Sequence, residues 1–131
     1  MKNFIKNLLL DNLLLVDIYS RAKKLRIENN VPRVVFLIET EIDKEFNVVE
    51  IVRSIFPTKQ KDFVTAVDEK SIILVKELKE KDSKEEIDQI SKHIYDTLSA
   101  EAMTSVYVAI GTVVNDLKNV SASYKEAKNG S

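Results

Sequence analysis

Ser105 to Lys128 reads SVYVAIGTVVNDLKNVSASYKEAK, and its reading decides the fold. Val106 to Ile110 alternates β-branched, aromatic and small apolar residues, the composition of a strand. A single Gly111 interrupts the run, and Leu117, Val120, Tyr124 and Ala127 then recur at helical spacing. The segment is therefore a strand, a glycine break and a closing helix.

Working back from it, Ser83 and Glu86 have the spacing of a capping box and open a helix with Ile87, Ile90, Ile94 and Leu98 on one stripe. Asp62–Val67 and Ser71–Leu78 read as two strands joined by Asp68-Glu69-Lys70, a hairpin. Phe46 to Phe56 is an amphipathic helix that stops before Pro57. Arg33 to Thr40, RVVFLIET, is a continuous apolar run of the kind covered on both faces. Before it, Met1 to about Ile27 is helical, with Phe4, Leu8, Leu15, Ile18, Ala22 and Leu25 largely at i, i+3, i+4, and with Asp11-Asn12 as a division point.

After the N-terminal helix the order is βαββαβα. Two crossovers around a hairpin give an α+β fold, the ferredoxin-like split βαβ sheet, here with an added N-terminal helix and a C-terminal helix. The expected organisation is a helical entry segment over 1–28, an α/β domain over 29–128, and a tail or cloning remnant over 129–131. We expect one domain cut from a longer protein.

Composition narrows the function classes. The 131 residues contain 44% hydrophobic side chains, enough for one buried core. Twenty Lys and Arg against 21 Asp and Glu leave a formal charge of −1. There is no basic stripe, so direct nucleic-acid binding by this segment is not expected. No Cys is present, which rules out disulfides and thiolate metal sites and suits a cytoplasmic location. The Leu8–Val16 run is broken by Asp11 and Asn12 and falls short of a membrane span. His93 is the sole His, on a polar-flanked helix stretch between Ile90 and Ile94, and reads as a surface or boundary residue.

Two stretches carry a family resemblance. Ala22-Lys23-Lys24-Leu25-Arg26-Ile27 … Pro32-Arg33-Val34-Val35 resembles the entry, and Ile110-Gly111 … Leu117 … Ser123-Tyr124-Lys125-Glu126-Ala127 the exit, of the GGDEF-like domain of bacterial transcription regulators of the sugar-diacid and purine-catabolism (CdaR/PucR) type. The resemblance spans nearly the whole chain. It implies a degenerate relative of diguanylate cyclase domains, coupling a sensor region to a DNA-binding helix-turn-helix outside this chain, with a homodimer as the working form.

The resemblance also places the candidate site. Where active cyclases carry Gly-Gly-Asp/Glu-Glu-Phe, this chain has Ala66-Val67-Asp68-Glu69-Lys70. Asp68 and Glu69 match the acidic pair; the glycines and the Phe are replaced. Glycine lets backbone approach a phosphate and takes positive φ, whereas β-branched Val67 favours ordinary strand geometry. The expectation is no enzyme activity, no catalytic residue and no cofactor of its own.

Residual Mg²⁺ binding by Glu39, Glu41 and Asp68 is the alternative for those carboxylates, since Mg²⁺ commonly uses one or two of them plus phosphates. Solvated strand-end acids are the favoured reading. The corresponding alternative function is a nucleotide- or metal-binding sensory module without turnover, with a working diguanylate cyclase last. The leucines 8–10 and 13–15 exceed one buried stripe, so the first helix is expected to offer a dimer seam around Leu9 and Leu13.

Overall fold

The structure is a computed structural model that describes residues 2–41, 47–57, 61–80, 83–102 and 105–130. Strands β1 (Arg33–Thr40), β2 (Phe63–Ala66), β3 (Ser71–Glu77) and β4 (Val106–Ile110) form one antiparallel sheet in the order β2-β3-β1-β4. Helices α1 (Lys2–Leu9), α2 (Leu15–Lys24), α3 (Val48–Ile55), α4 (Lys84–Glu101) and α5 (Val120–Asn129) cover its two faces. This is the expected split βαβ arrangement, with β1 central.

Strand alternation sorts β1 into two cores. Val34, Phe36 and Ile38 meet Val52 of α3 and Ile90, Ile94 and Leu98 of α4. Val35 and Leu37 meet Phe4, Ile5, Leu8 and Leu9 of α1, Ile18 and Ala22 of α2, and Tyr124 and Ala127 of α5. The first 28 residues therefore share a core with the sheet, and the expected boundary at 28 does not separate two packing units. At the other end Asn129 closes α5, and the Gly130 carbonyl accepts the Tyr107 hydroxyl at 2.5 Å.

The N-terminal helix divides at Asp11, which sits at φ 60°. α2 ends in a Schellman turn: Arg26 takes φ 60°, Ile27 N–H reaches Ala22 C=O at 2.9 Å and Arg26 N–H reaches Lys23 C=O at 3.2 Å.

Three local expectations change. Ser83 and Glu86 form no capping box. The Ser83 hydroxyl donates back to the Glu80 carbonyl, and Glu86 Oε1 accepts from Lys79 N–H at 3.1 Å, so both side chains bond backbone that precedes the helix. α3 begins at Val48, capped by Asn47, whose side chain accepts from Glu50 N–H at 3.2 Å; Phe46 lies outside the described residues. After Gly111 the chain does not enter a helix at once. It runs extended, bridges Val114 to Arg33, makes one 3-10 turn at Leu117–Asn119, and only then starts α5.

Candidate functional site at the β2–β3 hairpin

The turn 67–70 joins β2 to β3. Val67 N–H bonds the Ser71 carbonyl at 3.1 Å, and Asp68 Oδ1 accepts from both Lys70 N–H and Ser71 N–H at 2.8 Å. Asp68 thus folds onto its own backbone as an Asx-type turn, which is why an Asp is well suited there. The Lys70 carbonyl in turn accepts Thr40 N–H at 3.0 Å, tying the hairpin base to the end of β1.

The candidate residues separate. Ala66, Asp68, Glu69 and Lys70 are exposed, whereas Val67 is half-buried and packs against the α1/α5 core. Glu39 pairs with Ser71 on one side and Tyr107 on the other, and by alternation it lies on the α5 face with Leu37. Glu41 is exposed. Among the described residues no three carboxylate or imidazole groups converge to hold a metal ion, so Glu39, Glu41 and Asp68 do not form the ligand set considered from the sequence. One oxygen of Asp68 is also engaged by two N–H donors. No chemistry is routed through a metal ion here.

Tyr124 lies behind the hairpin on α5, 7% exposed. Burial raises its phenol pKa, and the Asp68 charge raises it further. The Lys128 ammonium stands 5.0 Å from its ring centroid. Tyr124 is thus a packed core aromatic held neutral, the opposite of an activated nucleophile. His93 is exposed on α4, as its polar flanks suggest.

Leu9 is 1% exposed and belongs to the α1/α5 core, so it cannot form a surface seam; Leu13 is half-buried against the same core. The exposed apolar side chains here are instead Leu10, Leu14, Leu15 and Val16, at the α1–α2 junction. The reason is the break at Asp11: it turns the chain, and a continuous helical wheel no longer applies.

A polar cluster at the opposite end of the sheet was not anticipated. Arg33 is 1% exposed, and its guanidinium donates to Glu28 C=O at 2.5 Å and Asn29 C=O at 3.4 Å. Asp116 accepts from Tyr19 of α2 and from Asn29, each at 3.3 Å. The cluster joins the entry helix, the start of β1 and the turn before α5. Only an Arg opening an otherwise apolar strand signalled it.

This hairpin-bearing sheet, flanked by α3 and α4 on one face and α1 and α5 on the other, defines a cyclase-like α+β domain. The model of the GGDEF-like domain matches residues 12–130, and the chain belongs to that family. Among solved structures the chain is similar to a DGC protein from Thermotoga maritima, with a TM-score of 0.63 and 14% identity over 98% of this chain and 92% of that one. At that identity the likeness speaks for the fold. No curated protein matches the sequence. Among the described residues no helix is long and apolar enough to cross a membrane.

Proposed function

We propose that this chain is a non-catalytic regulatory and dimerisation domain of a CdaR/PucR-type transcription regulator. In this reading it works in the cytoplasm and links a sensor region to a DNA-binding helix-turn-helix of the same full-length protein. The observation that carries the reading is the self-closed hairpin. Ala66 and Val67 stand where a phosphate would need bare backbone, Val67 is packed inward, and the Asp68 carboxylate binds its own turn. Such a hairpin stabilises a fold and offers little to a nucleotide.

The domain's two ends are mechanically joined. Tyr19 of α2 bonds Asp116, just ahead of α5, and Ser123 of α5 accepts from Val35 N–H of β1 at 3.0 Å. A displacement of the entry helix would pass to the exit helix through these contacts and reorient whatever follows. The exposed Leu14-Leu15-Val16 step lies at the entry and suits contact with the sensor region. With a formal charge of −1, the segment itself is not assigned to nucleic acid.

The test is incubation with GTP and Mg²⁺ or Mn²⁺. The expected result is no cyclic dinucleotide above an Asp68→Ala/Glu69→Ala control; product above that control overturns the reading. Calorimetric GTP binding without turnover, lost in Glu39→Ala, would replace it with a nucleotide-sensing module.

A further inference from the structure

The sheet's two edges are built differently. β2 is four residues long, and its outward Val64 carbonyl accepts from Arg53 Nη2 at 3.3 Å, so a guanidinium stands over that edge. Among the described residues no side chain bonds the outer edge of β4 in this way. Gly111 N–H reaches Val35 C=O at 2.8 Å, which sets the alternation: Ala109 and Tyr107 turn their backbone groups to β1, and Val106, Val108 and Ile110 turn theirs outward. Among the described residues nothing bonds those outward groups. The strand VYVAI also lacks the Lys, Pro and bulges by which natural edge strands repel a second strand, and no charge occurs from Ser105 to Asn115.

Beside this edge lies an open cleft of about 420 Å³ between β4 and α4, lined by Val106 to Val108 and by Asp88, Ser91, Lys92 and Tyr95. Tyr95 and Tyr107 are about half exposed, at 52% and 48%.

We infer that β4 is a self-pairing edge: a second copy of this chain adds its own β4 antiparallel about a two-fold axis at Val108, fusing two sheets into one. The inference rests on the homodimer reading above and assigns its surface. The occupant follows from self-complementarity. With Val108 opposite Val108, Val106 of each copy faces Ile110 of the other, so every outward N–H and C=O meets its counterpart. On the other face Tyr107 lies opposite the small Ala109, which leaves room for the ring. The flanking cleft offers Asp88 and Lys92 together, so an identical copy brings both signs to meet both, whereas a uniformly charged peptide would satisfy one and oppose the other.

The 131-residue chain is tested by sedimentation over a concentration series, alongside Val108→Lys and, at the other apolar patch, Leu15→Glu. Val108→Lys should weaken self-association at least tenfold and Leu15→Glu leave it unchanged. The chain has no Cys, so V108C gives a clean second readout. Opposed bonded residues lie about 5.5 Å apart at Cα, within disulfide reach. Oxidation should therefore produce a covalent dimer from V108C and none from K24C. That readout decides the matter if Val108→Lys fails to fold. A dimer that survives Val108→Lys, dissolves in Leu15→Glu and gives no V108C cross-link overturns the β4 assignment but leaves the homodimer. A strict monomer at high concentration overturns both.

Discussion

Gly111 and Ser123 meet so closely that a β-carbon on Gly111 would sit 2.1 Å from the Ser123 carbonyl oxygen and 2.4 Å from its Oγ. The requirement is for space, since no glycine here takes positive φ. The contact is where α5 crosses the end of β4. Ser123 Oγ uses it to donate to Thr112 C=O at 2.6 Å while accepting from Val35 N–H, so one buried hydroxyl serves two loose backbone groups. The strand β1, the segment after β4 and helix α5 are pinned at a single point.

Two substitutions read this point. Gly111→Ala forces a β-carbon against the Ser123 backbone carbonyl and is expected to cost about 3 kcal/mol or more, the range of overpacked or strained core sites. Ser123→Ala adds no bulk but removes the hydroxyl and leaves Val35 N–H buried without that acceptor, a loss of about 1–3 kcal/mol. Urea unfolding followed by circular dichroism measures both. A Gly111→Ala midpoint equal to wild type would contradict the contact.

Asp68 is assigned to the turn, and its variants can show this. Asp68→Asn keeps an oxygen facing Lys70 N–H and Ser71 N–H and should leave the unfolding midpoint near wild type. Asp68→Ala loses the one oxygen that accepts both bonds and should lower stability by up to about 1 kcal/mol. Amide exchange at Lys70 and Ser71 is expected to quicken in the alanine variant alone. Equal behaviour of the two would mean that the carboxylate charge, not the turn, is what matters there.

The strands were legible because β1 and β3 are runs rich in Val, Ile and Leu, β4 is a short β-branched and aromatic run, and hairpin β2–β3 sits on Asp68-Glu69-Lys70 as its chemistry suggests. Leu9 was misplaced because periodicity assumes a continuous helix, and a positive φ at Asp11 resets the phase. The Ser83 box failed for a different reason. Its hydroxyl turns back to donate to the Glu80 carbonyl and its oxygen caps no helix N–H, an orientation that spacing cannot reveal. At the hairpin, the substitutions at Ala66 and Val67 were visible in the sequence, whereas the failure of Glu39, Glu41 and Asp68 to converge depends on strand facing and on a turn that engages Asp68.

Tyr124 gives the fold a predictable alkaline weakness. Burial first, and the Asp68 charge second, raise its phenol above the ordinary value of 10.0. Below that value the phenol is protonated in both folded and unfolded chains, and its contribution is fully present. As pH rises beyond it, the unfolded chain releases the proton first, so stability falls until the folded phenol ionises as well. Between pH 9 and 11 the urea midpoint of wild type should therefore fall more than that of Tyr124→Phe, which keeps the ring beside Lys128. Asp68→Asn should reduce the difference partly, in keeping with its second place among the causes. Parallel curves for wild type and Tyr124→Phe would exclude this titration as the source.

The two kinds of leucine at the N-terminus make the last contrast. Leu9 is 1% exposed within the core that α1 shares with α5 and the sheet, whereas Leu14 is 71% exposed beyond the Asp11 break. Removing a buried leucine loses its transfer energy and leaves a cavity, so Leu9→Ala is expected to cost about 2–5 kcal/mol. Leu9→Glu should fail to fold outright, because the carboxylate would be buried without a partner. Leu14→Ser should stay within about 0.5 kcal/mol of wild type, the usual span for surface positions. The same denaturation series separates them, with near-ultraviolet circular dichroism reporting the packing around Phe4 and Tyr124. A stable, well-packed Leu9→Glu would show that α1 does not belong to the core, and with it the mechanical link from entry helix to exit helix would lose its first element.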